Sequence, residues 1–220
     1  MKASRVAASS EEMLNPAGGI WNGVTAETLD MTPTPLAGVV NEVSAYLAAD
    51  SLDHGRVKQV KAAAAHNGKV LTIRLSWQSD AHTEIKDLDQ FVDGAAVLFA
   101  MSKEASAITM GKKGAAVNAW FWRANQAETP YDVVAEGFGS SERRSGSKSG
   151  LVSRSVHKDG KWVVLLQRPL AAGQGAGQGH VALAAGQDAR VAVAVWDGGN
   201  RERSGRKAIS GEFVPLSLEK

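Results

Sequence analysis

Apolar residues recur in this chain at every second position, and that period commits it to strands. From Val70 to Trp77, Leu71, Ile73, Leu75 and Trp77 share one face and Thr72, Arg74 and Ser76 the other, the alternation of a half-buried β-strand. The run follows Asn67-Gly68, a pair suited to a tight hairpin turn, which makes Val57 to Ala65 its partner strand. Around Asp159-Gly160 the scheme repeats. Leu151 to His157 leads in, and Trp162, Val164 and Leu166 alternate with Val163, Leu165 and Gln167 on the way out. Gly94 to Met101, Val117 to Arg123, Tyr131 to Gly137, Arg190 to Trp196 and Glu212 to Leu218 read as further strands. Short strands at this spacing predict a mainly β fold, an antiparallel β-sandwich with a few short helices in its connecting loops.

Helical signal is thin. Leu36 to Leu47 reads as a short helix or a strand, and Glu84 to Phe91 as a turn or two of helix. The Gly/Ser/Lys stretch Gly139 to Gly150 and the Gly/Gln/Ala stretch Ala171 to Gly179 read as mobile loops. In the second, glycines fall at every second position, which is not the Gly-x-Gly-x-x-Gly of a dinucleotide site. Strand-like sequence resumes at once on both sides of each loop, so neither is a domain linker. One domain over residues 1–220 is expected, with residues 1–20 as an extended N-terminal arm.

Composition narrows the chemistry. The chain of 220 residues has no cysteine, which removes iron–sulfur clusters, Cys-rich zinc sites, c-type haem attachment, thiol nucleophiles and disulfides. Its formal charge is only +2, far from that of a dedicated nucleic-acid binder. The basic residues crowd into Arg143 to Lys148, which reads as a solvated loop, and into Arg201 to Lys207. Apolar runs such as Val191 to Trp196 fall well short of the ~20 residues of a membrane-spanning helix. No apolar run of a secretory signal follows Lys2 and Arg5. The five histidines are scattered, without metal-ligand spacing, and hydrolase and P-loop motifs are absent.

Two segments stand apart. In Thr109-Met110-Gly111-Lys112-Lys113-Gly114-Ala115-Ala116-Val117-Asn118-Ala119-Trp120-Phe121-Trp122-Arg123, a methionine at the edge of a glycine-bounded loop precedes a strand with Trp120 and Trp122 side by side on one face. The second runs from Ala194-Val195-Trp196 through a basic, glycine-bounded loop, Asp197 to Lys207, into Ala208-Ile209. The tryptophans alone are explained by packing in a sandwich core. They also admit a metal-free module in which Trp120, Trp122 and Trp196 stack a sugar or another flat ligand.

These segments, with Met31-Thr32-Pro33-Thr34-Pro35-Leu36, Ala65-His66-Asn67-Gly68, Phe91-Val92-Asp93-Gly94 and Val134-Ala135-Glu136-Gly137-Phe138, resemble the haem-binding gamma subunit of ethylbenzene dehydrogenase and its relatives. These include steroid C25 dehydrogenase, dimethylsulfide dehydrogenase, selenate reductase and chlorate reductase, in the type II branch of the dimethyl sulfoxide reductase family. The resemblance implies one non-covalent haem b held between an axial methionine and an axial lysine. Those positions map to Met110 and Lys207, with Met101 as the rival methionine, although Met101 continues the core alternation Ala95, Val97, Phe99. The resemblance also implies a cofactor pocket drawing on Trp120, Trp122, Trp196 and Asn118, with Arg203 and Arg206 facing the haem carboxylates. The chain itself is then a non-catalytic electron-transfer subunit. Its implied partners are a molybdenum-cofactor catalytic subunit that hydroxylates a hydrocarbon or steroid side chain with water, an iron–sulfur subunit, and an external c-type cytochrome. Periplasmic residence follows from the same resemblance, through export with a signal-bearing partner.

Overall fold

The alternation resolves into fourteen strands among the described residues, which in the computed structural model are 1–35, 53–80, 82–84, 91–171 and 179–220. They are β1 (Lys2–Arg5), β2 (Ala26–Asp30), β3 (Thr32–Pro33), β4 (Gln59–His66), β5 (Val70–Gln78), β6 (Gly94–Ala100) and β7 (Val117–Arg123). There follow β8 (Tyr131–Ala135), β9 (Glu142–Ser145), β10 (Val152–Lys158), β11 (Lys161–Pro169), β12 (Asp188–Trp196), β13 (Ala208–Ile209) and β14 (Val214–Leu218). The expected segments 36–47, most of 84–91 and most of 171–179 lie outside the described residues.

Hydrogen bonding joins the strands in the order β10-β11-β5-β4-β1-β14-β12-β6-β7-β8-β9, with β2 added to β4 and β13 between β12 and β3. The sheet folds over on itself. Residues of β4, β5 and β11 share one buried core with residues of β6, β7 and β12, the face-to-face layering of a sandwich. Tryptophans knit the layers together: Trp122 of β7 meets Trp162 of β11 edge-on at 4.9 Å and Trp77 of β5 at 6.3 Å. Such pairs add ~0.5–1.5 kcal/mol each beyond the area they bury.

The two hairpins turn differently. Lys158 pairs with Lys161 across Asp159 and Gly160, which both take positive φ (52° and 68°), the backbone that a two-residue turn demands. At Asn67-Gly68 only Gly68 is left-handed (φ 82°). Asn67 contributes its side chain instead, its Oδ1 accepting from the amides of Lys69 and Val70 at 3.1 and 3.0 Å.

Residues 1–20 are not an arm. β1 lies inside the sheet, parallel to β4 on one side and to β14 on the other, so the pairing is not antiparallel throughout. Beyond it, Ser9 and Glu12 form a reciprocal cap on the one-turn helix Ser10–Met13. Met13 then packs beneath Trp21 and Val24 onto the outer face of β4 and β11. The stretch Gly139 to Gly150 also departs from the loop reading: it holds β9, paired to β8, and a 3-10 turn at Gly146–Ser149. Both strands are short and mostly polar, so their alternation is invisible in sequence; β1 is made by long-range pairing with β4 and β14, and β9 by a hairpin with β8.

Candidate functional site

Strands β6 and β7 each present two faces, and their outer face is hollow. Ala95, Val97 and Phe99 point into the sandwich core, while Gly94, Ala96 and Leu98 point outward. On β7, Ala119, Phe121 and Arg123 point outward. With Val133 of β8 and Trp196 at the end of β12 they enclose a cavity of about 620 Å³, within the ~300–1,000 Å³ of pockets that hold a sizeable organic ligand. Small side chains make the hollow. A Cβ on Gly94 would come 3.3 Å from the Phe121 ring and 3.5 Å from the Trp196 ring.

Met110 enters this cavity from one side. Its backbone is left-handed (φ 59°) and is followed by Gly111, also left-handed (φ 83°). A side chain at Gly111 would strike the carbonyls of Ala135 and Ala115 at 2.7 and 2.8 Å. The turn is pinned by the Met110 amide donating to Ala107 O at 3.2 Å and by the Gly137 amide donating to Met110 O at 2.9 Å. An unbranched residue in this conformation costs ~1–2 kcal/mol, a strain that marks a site where the side chain is wanted.

Lys207 enters from another side. It is 2% exposed, its ammonium lies 5.4 Å from the Trp196 ring centroid, and no carboxylate pairs with it among the described residues. Burial pushes its pKa down from 10.5 to about 8, because a charge removed from water is disfavoured. Its carbonyl is gripped by Thr34, whose amide and hydroxyl donate at 3.0 and 3.2 Å. β13 begins at the next residue and pairs with β12 and β3.

Met110, Lys207, Trp196 and Arg203 thus line one cavity. The other expected pocket residues do not. Trp120 and Trp122 are fully buried on the opposite face of β7, in the sandwich core, so they form neither a cofactor wall nor an exposed sugar-stacking surface. Asn118 shares that inner face, where it donates to Asp132 Oδ1 and Val133 O and accepts from the Val181 amide. Arg206 is buried and outside the lining. Met101 packs half-buried against the main core, as its place in the alternation suggests. Period two told correctly that the indoles share a face; which face meets the core depends on the layer packed against it.

Several residues of the site lie in or beside the segments singled out in sequence, with nothing there to assign them a role. Glu202, 1% exposed, organises the basic loop: its Oε1 accepts from the amides of Gly55 and Arg56 and from Asn200 Nδ2, and its Oε2 from the Asp197 amide, at 2.8–3.0 Å. Asp93 ties that loop to β6 and β11 by accepting from the Gly198 amide and from Trp162 Nε1. Its pKa is raised, chiefly by burial. Gly198 tolerates no side chain, since a Cβ would fall on Phe91 O. Phe121 and Arg143 also line the cavity; the alternation around Trp120 and Trp122 was the available signal for Phe121, and Arg143 had none.

A family model described as ethylbenzene dehydrogenase matches residues 18–154 and 144–208. A protein of Haloferax mediterranei named as a candidate respiratory nitrate reductase heme subunit is 31% identical over 92% of this chain and 67% of its own length. The chlorate reductase subunit gamma of Ideonella dechloratans is 40% identical over 66% of this chain and 59% of its own. For the dimethylsulfide dehydrogenase subunit gamma of Rhodovulum sulfidophilum the figures are 29%, 64% and 54%. The chain therefore spans about half to two thirds of the length of these relatives. Among solved structures, a carbohydrate-binding protein candidate from Bacteroides uniformis aligns over 100% of this chain and 98% of its own, with TM-score 0.58 and 12% identity. A family 9 carbohydrate binding module from Caldicellulosiruptor kristjanssonii aligns over 100% and 95%, with TM-score 0.52 and 8% identity. At such identities these two matches establish the sandwich fold and nothing about ligands.

Proposed function

Because this chain belongs to the ethylbenzene dehydrogenase family, we propose that it is the electron-transferring gamma subunit of a molybdenum-dependent oxidoreductase complex, binding one non-covalent haem b through Met110 and Lys207. The observation that carries this reading is that a methionine and an unpaired, buried lysine, far apart in the chain, line a single cavity with an apolar floor. The donor set fits: a thioether and an amine are available to iron, and there is no thiolate in the chain. A bound haem supplies a one-electron redox couple.

The protein prepares its ligands before the haem arrives. Lysine ligates only as the neutral amine, and at pH 7 removing the proton from an ordinary lysine costs about 5 kcal/mol, at ~1.4 kcal/mol per pH unit. Burial that lowers the Lys207 pKa to about 8 reduces that cost to about 1 kcal/mol. A thioether supplied by Met110 would favour ferrous iron and so raise the reduction potential. The floor itself is apolar, with Ala96, Leu98, Ala119 and Val133. Held by both Met110 and Lys207, a haem would supply electron transfer rather than a binding position for substrate, and the chain would pass electrons without itself catalysing.

In the proposed complex a molybdenum-cofactor subunit hydroxylates a hydrocarbon or steroid side chain with water, an iron–sulfur subunit relays the electrons, and a c-type cytochrome accepts them in the periplasm. The family description supports the hydrocarbon substrate, and the gamma-subunit names of two relatives support the assembly. Among the described residues no helix is long and apolar enough to cross a membrane. Co-production with the partner subunits in the presence of haem tests the proposal: a Soret band with a low-spin spectrum is expected, and a chain so produced that shows no Soret band overturns it.

A further inference from the structure

Three arginines line the cavity, and none has a carboxylate. Arg143 on β9 and Arg203 in the basic loop are exposed at its rim, while Arg123 at the end of β7 is half-buried. Among the described residues no Asp or Glu forms an ion pair with any of the three. The acidic lining residue, Glu202, is fully occupied by loop amides and Asn200.

The two rim arginines are nevertheless held in place. The Arg143 guanidinium lies 5.6 Å from the Phe121 ring centroid, and that of Arg203 lies 4.4 Å from the Phe91 ring centroid. Stacking on a ring restrains a guanidinium and leaves its edge N–H donors free. Such an edge matches a carboxylate in two parallel hydrogen bonds. The strand face beneath them offers only Gly94, Ala96, Leu98, Ala119 and Val133 beside Phe121, with Arg143 directly across from Val133 and Arg123 directly across from Gly94. Cations with unclaimed donors thus border an apolar floor.

We propose that Arg143 and Arg203 form a two-armed carboxylate clamp that selects a tetrapyrrole with both acidic side chains free and turns its carboxylate edge to the cavity mouth, with Arg123 adding charge behind them. This rests on the haem reading and deepens it. The arms come from separate segments, β9 and the 197–206 loop, so the clamp exists only in the folded chain. Arg206, next to the ligand lysine, takes no part.

The full chain without haem is titrated with iron(III) protoporphyrin IX and, separately, with its dimethyl ester, in which both carboxylates are blocked. The Soret band is followed. Wild type is expected to prefer the free acid by about tenfold or more, the combined effect of two restrained charge-assisted contacts. Arg143→Gln with Arg203→Gln removes most of that preference and leaves ester affinity within about twofold of wild type. Replacing both by Lys restores part of it, since charge returns without the planar fork. Both residues are exposed, so the variants fold, and matching thermal melts check this. Equal wild-type affinity for acid and ester, or a preference that survives in the Gln variant, overturns the clamp and leaves the haem reading standing. Binding of neither porphyrin overturns both.

Discussion

The Lys207 ammonium lies 5.4 Å from the Trp196 ring centroid, a cation over an indole in a site that water barely reaches. The two residues are held in one ladder: Trp196 ends β12, and β13, which pairs with β12, begins directly after Lys207. The indole N–H closes the intervening loop by donating to Ser204 O at 3.1 Å. An aromatic face softens the burial of a charge but does not replace a carboxylate.

That imbalance has a measurable consequence in the chain without haem. The folded-state pKa of Lys207 lies below its ordinary value, about 8 against 10.5, so between these values the unfolded chain binds more protons and stability rises with pH. Below pH 8 the penalty is fully present, on the order of 3 kcal/mol. Lys207→Met, which keeps the volume and drops the charge, is expected to stabilise the haem-free chain at pH 7 by on the order of 2 kcal/mol. The gain fades as pH rises from 8 toward 10.5, and haem binding is lost. Urea midpoints at pH 7 and pH 10 measure it; destabilisation at pH 7 would show that the ammonium has a partner.

The two methionines separate by type of damage. Met101→Ala opens space against the main core and is expected to cost about 2 kcal/mol, with the haem spectrum unchanged. Met110→Ala removes the thioether from the cavity and changes the low-spin spectrum. Met110→Gly relieves the left-handed backbone (φ 59°) and should be as stable as Met110→Ala or about 1 kcal/mol more so. Loss of the haem signature in Met101→Ala alone would reverse the assignment.

Glu202 acts through the loop it organises. Glu202→Ala leaves the amides of Gly55, Arg56 and Asp197 without their acceptor, at a cost of about 3 kcal/mol. Amide hydrogen exchange at those three positions should accelerate more than in β6 and β7. Haem affinity falls with it, because Lys207 follows the same loop. Uniform acceleration across the sheet would mean that Glu202 supports the whole fold.

The floor can be filled without touching Met110 or Lys207. Ala119→Leu projects about three methylene-sized groups into the hollow, at little cost to the fold because the space is open, and should abolish haem capture. Trp122→Phe, on the other face of the same strand, should lower the melting temperature and leave the Soret band in place. Haem binding preserved in Ala119→Leu would move the site elsewhere.

The alternation of apolar residues determined most strands, both hairpins and the sandwich, because period two and turn chemistry are local properties of the chain. The two segments around Met110 and Lys207 could be singled out for the same local reason. β1 and β9 could not: each is four residues long, β1 pairs with β4 and β14 far off in sequence, and β9, although it forms a hairpin with the preceding β8, is polar throughout and shows no alternation. The alternation also gave β7 two faces without saying which was covered. Only the packing of β5 and β11 against it decided that Trp120 and Trp122 belong to the core, while Phe121, small neighbours and the two loops that carry Met110 and Lys207 form the cavity. A side chain's face is fixed by backbone geometry, but its burial is fixed by whatever layer lands on that face.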